Sequence, residues 1–118
     1  MHRLIPLAAI LAAAPALADP AVIEAVEARP AGDGWTFSVT LSHGDTGWDD
    51  YSDGWRVVGE DGTVFGTREL LHPHENEQPF TRGLSNVEIP AGVERVYIEA
   101  RTNVDGWGEA RFGFLLGE

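Results

Sequence analysis

The sharpest hydrophobic pattern in the chain runs from Trp35 to Leu41. There Trp35, Phe37, Val39 and Leu41 alternate with Thr36, Ser38 and Thr40. A strict period of two puts four apolar side chains on one face of an extended strand and three hydroxyl-bearing ones on the other. The same period recurs more weakly elsewhere. Ala21 to Arg29 sets Val22, Val26 and Ala28 against Ile23 and Glu27. Trp55–Gly59 and Thr63–Leu71 flank Glu60-Asp61-Gly62, and an Asp-Gly pair between apolar runs is a strong hairpin signal. Phe80 to Ile89 predicts a strand with one polar face. Val93 to Arg101 turns Val96, Ile98 and Ala100 inward, and Ala110 to Leu116 aligns Ala110, Phe112, Phe114 and Leu116. Between these runs lie turn signals at Pro30-Ala31-Gly32-Asp33-Gly34 and Pro90-Ala91-Gly92. Beyond the first eighteen residues, no segment carries a helical period over a useful length.

Seven short strands at roughly ten-residue spacing predict an all-β domain, an antiparallel β-sandwich of immunoglobulin or fibronectin-III type. A small β-barrel is the alternative. In either, successive antiparallel strands place their connections alternately at the two ends. Connections 30–34, 61–62 and 90–92 then share one end, built of Pro, Gly, Ala and Asp alone. Connections 43–54, 72–79 and 102–108 share the other, which is long, acidic, aromatic and rich in histidine. A site on such a scaffold is expected in the loops of that second end.

The opening residues change the setting. Met1-His2-Arg3 form a basic head, Leu4 to Leu17 an apolar core, and Ala16-Leu17-Ala18 a small-x-small cleavage site. This is the build of a secretory signal over 1–18, leaving 19–118 as one domain that is periplasmic or secreted and not inserted in the membrane. No cysteine is present, and the one methionine is Met1. Disulfides, thiol catalysis and sulfur ligation are therefore excluded from the mature domain. Of the eight basic residues Arg3 leaves with the leader, so seven arginines face nineteen acidic residues. Such a surface repels phosphate backbones and anionic lipid, which argues against nucleic-acid binding. It tolerates cationic partners and divalent ions.

Candidate chemistry concentrates in Arg68 to Arg82. His72-Pro73-His74-Glu75-x-Glu77 places two imidazoles two residues apart, on one side of an extended segment. With Glu75, Glu77 or His43 they offer a nitrogen–oxygen shell suited to Zn²⁺ or Cu²⁺. The alternative reading makes the stretch a rigid polar loop, its path set by Pro73 and Pro79 and its stems held by Arg68 and Arg82 with Glu69 or Glu75. Asp49-x-Tyr51-x-Asp53-Gly54 matches the calcium-loop template only in part, because Tyr51 stands at its third position. A looser Ca²⁺ site from Asp45, Asp49, Asp50 and Asp53 is the lesser metal reading. All four tryptophans follow glycine. Trp35 and Trp55 begin strands and read as core anchors. Trp48 and Trp107 lie in the suspect loops, where with Tyr51 and Asp49 they can make an aromatic platform for a ligand or partner protein. No Gly-x-Ser-x-Gly elbow occurs and no serine has a distinctive setting, so the domain reads as non-catalytic.

Gly66-Thr67-Arg68-Glu69-Leu70-Leu71-His72-Pro73-His74, followed by Glu77-Gln78-Pro79-Phe80-Thr81-Arg82, resembles a stretch of small uncharacterised exported proteins of Gram-negative bacteria. The resemblance extends over about 48 to 107. It implies an exported, β-rich protein and transfers no catalytic residue. The expected function is an exported accessory or binding module, with a ligand or divalent-metal site at the loop-rich end. The alternative is a structural or protein-interaction module without metal, and a small hydrolase stands third.

Overall fold

The computed structural model describes residues 19–117; the expected leader at 1–18 lies outside the described residues. Eight strands follow in order: β1 Val22–Ala31, β2 Gly34–Ser42, β3 Ser52–Val58, β4 Val64–Glu69, β5 Phe80–Val87, β6 Arg95–Thr102, β7 Gly106–Trp107 and β8 Phe112–Leu115. No helix occurs among the described residues. One sheet has the order β1-β2-β5. The other runs β4-β3-β6, with β7 and β8 both pairing with β6. All pairings are antiparallel. The two sheets are open, so the domain is a sandwich and not a barrel. Its fourth strand lies beside the third, as in immunoglobulin-like sandwiches that extend the sheet of their third and sixth strands.

The alternation that opens the chain's pattern is the core. Phe37, Val39 and Leu41 of β2 are fully buried against Trp55, Val57, Val96 and Ile98 of the opposite sheet. Phe37 meets Phe114 of β8 edge-on across the layers at 6.5 Å. Each large side chain so enclosed is worth about 1.5–3 kcal/mol. An exposed ion pair contributes about 0–1 kcal/mol. Burial between the sheets therefore holds this cysteine-free fold.

Two expectations need amending. In β1 the inward set is Ile23, Val26 and Ala28, and Val22 is half exposed. Ile23 pairs with Leu41 and Ala25 with Thr40, leaving Glu24 unmatched. This bulge shifts the alternation by one position, so Ile23 joins the core face. The loop expected at 102–108 also contains a strand: the two-residue β7 folds back to pair antiparallel with the end of β6 and brings Trp107 opposite Arg101.

The two ends separate as the parity of the connections requires. At one end, Gly32 (φ 62°), Gly62 (φ 91°) and Gly92 (φ 93°) make the turns in left-handed conformation. Backbone bonds such as Gly59 N–H to Thr63 O (2.8 Å) and Val93 N–H to Pro90 O (3.2 Å) close them.

Candidate functional site

At the other end, backbone groups of the loops are held by side chains. Asp45 is the centre. Its carboxylate is wholly buried. Oδ1 accepts from His43 Nδ1 (2.6 Å) and from the Ser52 amide (3.0 Å), while Oδ2 accepts from the His74 amide (2.8 Å). One carboxylate thus joins the loop after β2, the start of β3 and the loop after β4. Gln78 adds a second tie: its carbonyl accepts from the His43 amide (2.9 Å) and its NH₂ donates to His74 O (2.9 Å). Asn103 supplies the third. Its side-chain oxygen accepts from the Tyr51 amide (2.9 Å), and its NH₂ donates to Trp48 O (2.8 Å). The segments 43–54, 72–79 and 102–108 therefore lie together.

Within this framework the histidines take different roles. His74 is buried and stacks on Phe80, with centroids 3.9 Å apart and planes inclined by 13°. Its Nε2 accepts from the Arg82 guanidinium at 2.8 Å. Burial, reinforced by the Arg82 charge and by His72, lowers its pKa below the usual histidine value. His72 is exposed, 4.5 Å from His74 between centroids, and its Nδ1 lies 3.1 Å from its neighbour's carbonyl, Pro73 O. A lone pair already engaged by a guanidinium is a poor metal ligand. Glu77 also leans on Arg82 (3.4 Å), and Glu75 is exposed beside Gly47. Among the described residues no group of three His, Asp or Glu side chains stands ready-arranged to hold a metal ion. The four aspartates of the looser Ca²⁺ reading are dispersed in role. Asp45 is the buried hub, Asp53 pairs with Arg101 (2.8 Å), Asp49 is exposed, and Asp50 faces His43.

The arginines act as stems, with partners other than those expected. Arg68 of β4 donates to Gly83 O of β5 at 2.6 Å, bridging the two sheets. Glu69 pairs with Arg101 at 2.6 Å.

The aromatic residues divide as well. Trp48 is 64% exposed and meets Tyr51 edge-on at 5.5 Å. Trp107 is half-buried under two guanidinium groups, Arg56 at 3.8 Å and Arg101 at 5.0 Å from the ring centre. Arg56 is itself fixed by Glu99, which also binds Arg111. Trp107 thus packs on the outer face of the second sheet, and the exposed aromatic ring of these loops is Trp48, with Tyr51 against it. Trp55 is fully buried, and Trp35 packs against the core from its edge. Sequence reasoning passed over Asp45, Gln78 and Asn103 as organisers. The available signal was amides and a carboxylate set in turns flanked by strands, where such groups bond to backbone.

An apolar cleft adjoins this end, between Ala21 and Ile23 on one side and Ala100, Gly108, Ala110 and Phe112 on the other. It has little polar equipment.

No protein-family model matches the chain, and no solved structure matches it. Among curated proteins, a relative from the archaeon Halomicrobium mukohataei, named "Putative lipoprotein", is 43% identical over 72 residues. Those residues are 61% of this chain and 35% of the relative, so the chain matches about a third of that longer protein.

Proposed function

We propose that this domain is an exported, envelope-associated binding module that docks a partner protein through its loop-rich end, and that it is not an enzyme. The observation that carries the reading is Trp48. A large aromatic ring left 64% exposed, on a loop whose backbone is pinned by Asn103 and Asp45, has its binding entropy largely spent in advance. Tyr51 braces it edge-on, and Asp49 and Asp50 flank it. Rigid aromatics within a polar rim are the usual anchors of protein interfaces. The acidic surroundings favour a partner with basic residues around an apolar pocket. Export is supported by the basic-apolar-small order of residues 1–18 and by the name borne by the archaeal relative. No helix among the described residues is long and apolar enough to cross a membrane.

The test is a photocrosslinking amino acid placed at position 48 and, as a control, at Val64, which is exposed in β4. Position 48 is expected to trap one discrete envelope protein that position 64 does not. Trp48→Ala should abolish that complex while changing stability by less than about 0.5 kcal/mol. A large stability loss would make Trp48 a packing residue and end the docking reading.

A further inference from the structure

We propose that Asp19, His43 and Asp50 form a divalent-cation site, with Asp45 as the outer partner that orients the imidazole. The inference goes beyond the docking reading and does not rest on it.

The His43 side chain is fully enclosed. Its Nδ1 is committed to Asp45 Oδ1 at 2.6 Å. That carboxylate also accepts two backbone amides, so it acts as an acceptor and Nδ1 carries the proton. In the neutral ring the lone pair then sits on Nε2. Among the described residues no group hydrogen-bonds Nε2, although it is buried. Its polar neighbours are two carboxylate oxygens, Asp19 Oδ2 at 3.4 Å and Asp50 Oδ1 at 3.7 Å. Two carboxylate oxygens set around one nitrogen lone pair are each repelled by it unless a cation lies between them.

The distances discriminate between a proton and a metal. A protonated Nε2 engaging a carboxylate would draw it to about 2.7–2.9 Å. A tetrahedral Zn²⁺ holds nitrogen and oxygen ligands at about 2.0–2.2 Å, which spaces neighbouring ligand atoms about 3.3–3.5 Å apart. The observed separations lie at or just beyond the second value. A buried carboxylate bonded to the far nitrogen of the ring is the outer arrangement that fixes tautomer and aim in zinc–histidine sites. One imidazole and two carboxylates suit Zn²⁺ with the remaining position open to water. Asp19 is 64% exposed and Asp50 34% exposed at the side chain, so both carboxylates meet solvent and can carry an ion in to the buried Nε2. The ready-made part is His43 on Asp45. The two aspartates close onto the ion, which ties the start of the described chain to the loop carrying Trp48.

The experiment uses tag-free full-chain protein as exported, stripped with EDTA and titrated with ZnCl₂ and, separately, CaCl₂. Long-range ¹H–¹⁵N spectra of the imidazoles resolve His43 from His72 and His74. Saturable one-site Zn²⁺ binding is expected, moving His43 Nε2 and leaving the rings of His72 and His74 in place. Asp50→Asn and Asp19→Asn should each weaken Zn²⁺ by about tenfold or more, with the metal-free melting temperature unchanged. The site is overturned by any of four results: no saturable Zn²⁺ binding, shifts confined to His72 and His74, Ca²⁺ binding as tightly as Zn²⁺ without touching His43, or a His43 ring doubly protonated at neutral pH and indifferent to Zn²⁺.

Discussion

The two ends of the sandwich are finished by different chemistry. Around Gly32, Gly62 and Gly92 the chain reverses through left-handed glycines and backbone hydrogen bonds. The side chains that join in do so around the second turn, where Asp61 accepts from the Thr63 amide and Arg111 donates to the Gly59 and Glu60 carbonyls. Around Asp45 the backbone is held by carboxylate and amide side chains from distant parts of the sequence. A turn of the first kind is local and can be altered one residue at a time. A junction of the second kind fails as a unit, because each buried donor depends on the same acceptor. The loop-rich end thus presents a fixed surface, and the plain end closes the sheets.

That contrast can be broken most severely at Asp45. Asp45→Ala leaves the Ser52 and His74 amides and the His43 Nδ1 donor without their buried acceptor. We expect a loss of about 3–5 kcal/mol in urea unfolding. At the plain end Gly92→Ala meets no steric obstacle, but it forces a side chain into the left-handed region at φ 93°. A loss of about 1–2 kcal/mol in the same assay is expected there. If the two variants cost the same, the junction at Asp45 is not cooperative.

The smallest effect concerns pH and His74. Its folded pKa lies below the ordinary value of 6.5 because burial, and then the Arg82 charge, disfavour the proton. Above that ordinary value both folded and unfolded rings are neutral, so stability is flat for this group. As pH falls below it the unfolded chain takes up the proton first, and stability declines until the folded value is passed. Protonation also removes the lone pair that receives the Arg82 guanidinium. His74→Gln should flatten the fall in urea midpoint between pH 7 and pH 5 relative to the unaltered protein. Identical slopes would show that His74 does not stay neutral in the fold.

Much of the fold was legible because apolar period and glycine-proline punctuation are local signals. The face carrying Phe37, Val39 and Leu41, the Asp61-Gly62 hairpin and the inward set of Val96, Ile98 and Ala100 all follow from them. The bulge at Glu24 was hidden because nothing local distinguishes an unmatched glutamate from a paired one. The convergence of the three loops followed from strand parity, a property of the sheet rather than of any residue. What parity cannot assign is hydrogen-bond partners. His72 and His74 do come near each other, yet Arg82, eight positions beyond His74, decides what the His74 lone pair does. The setting of Trp107 was hidden for a similar reason: the arginines above its ring belong to β3 and β6.

The unmatched Glu24 has a consequence for what happens when copies of the protein meet. β1 is an outer strand of its sheet and, at ten residues, the longest strand among the described residues. A long flat edge with unpaired amides invites the same edge of another copy. The bulge interrupts that row, and Glu24, Glu27 and Arg29 stand exposed along it with Pro30 near its end. The irregularity that brought Ile23 into the core thus also spoils the template on which fibrils would grow.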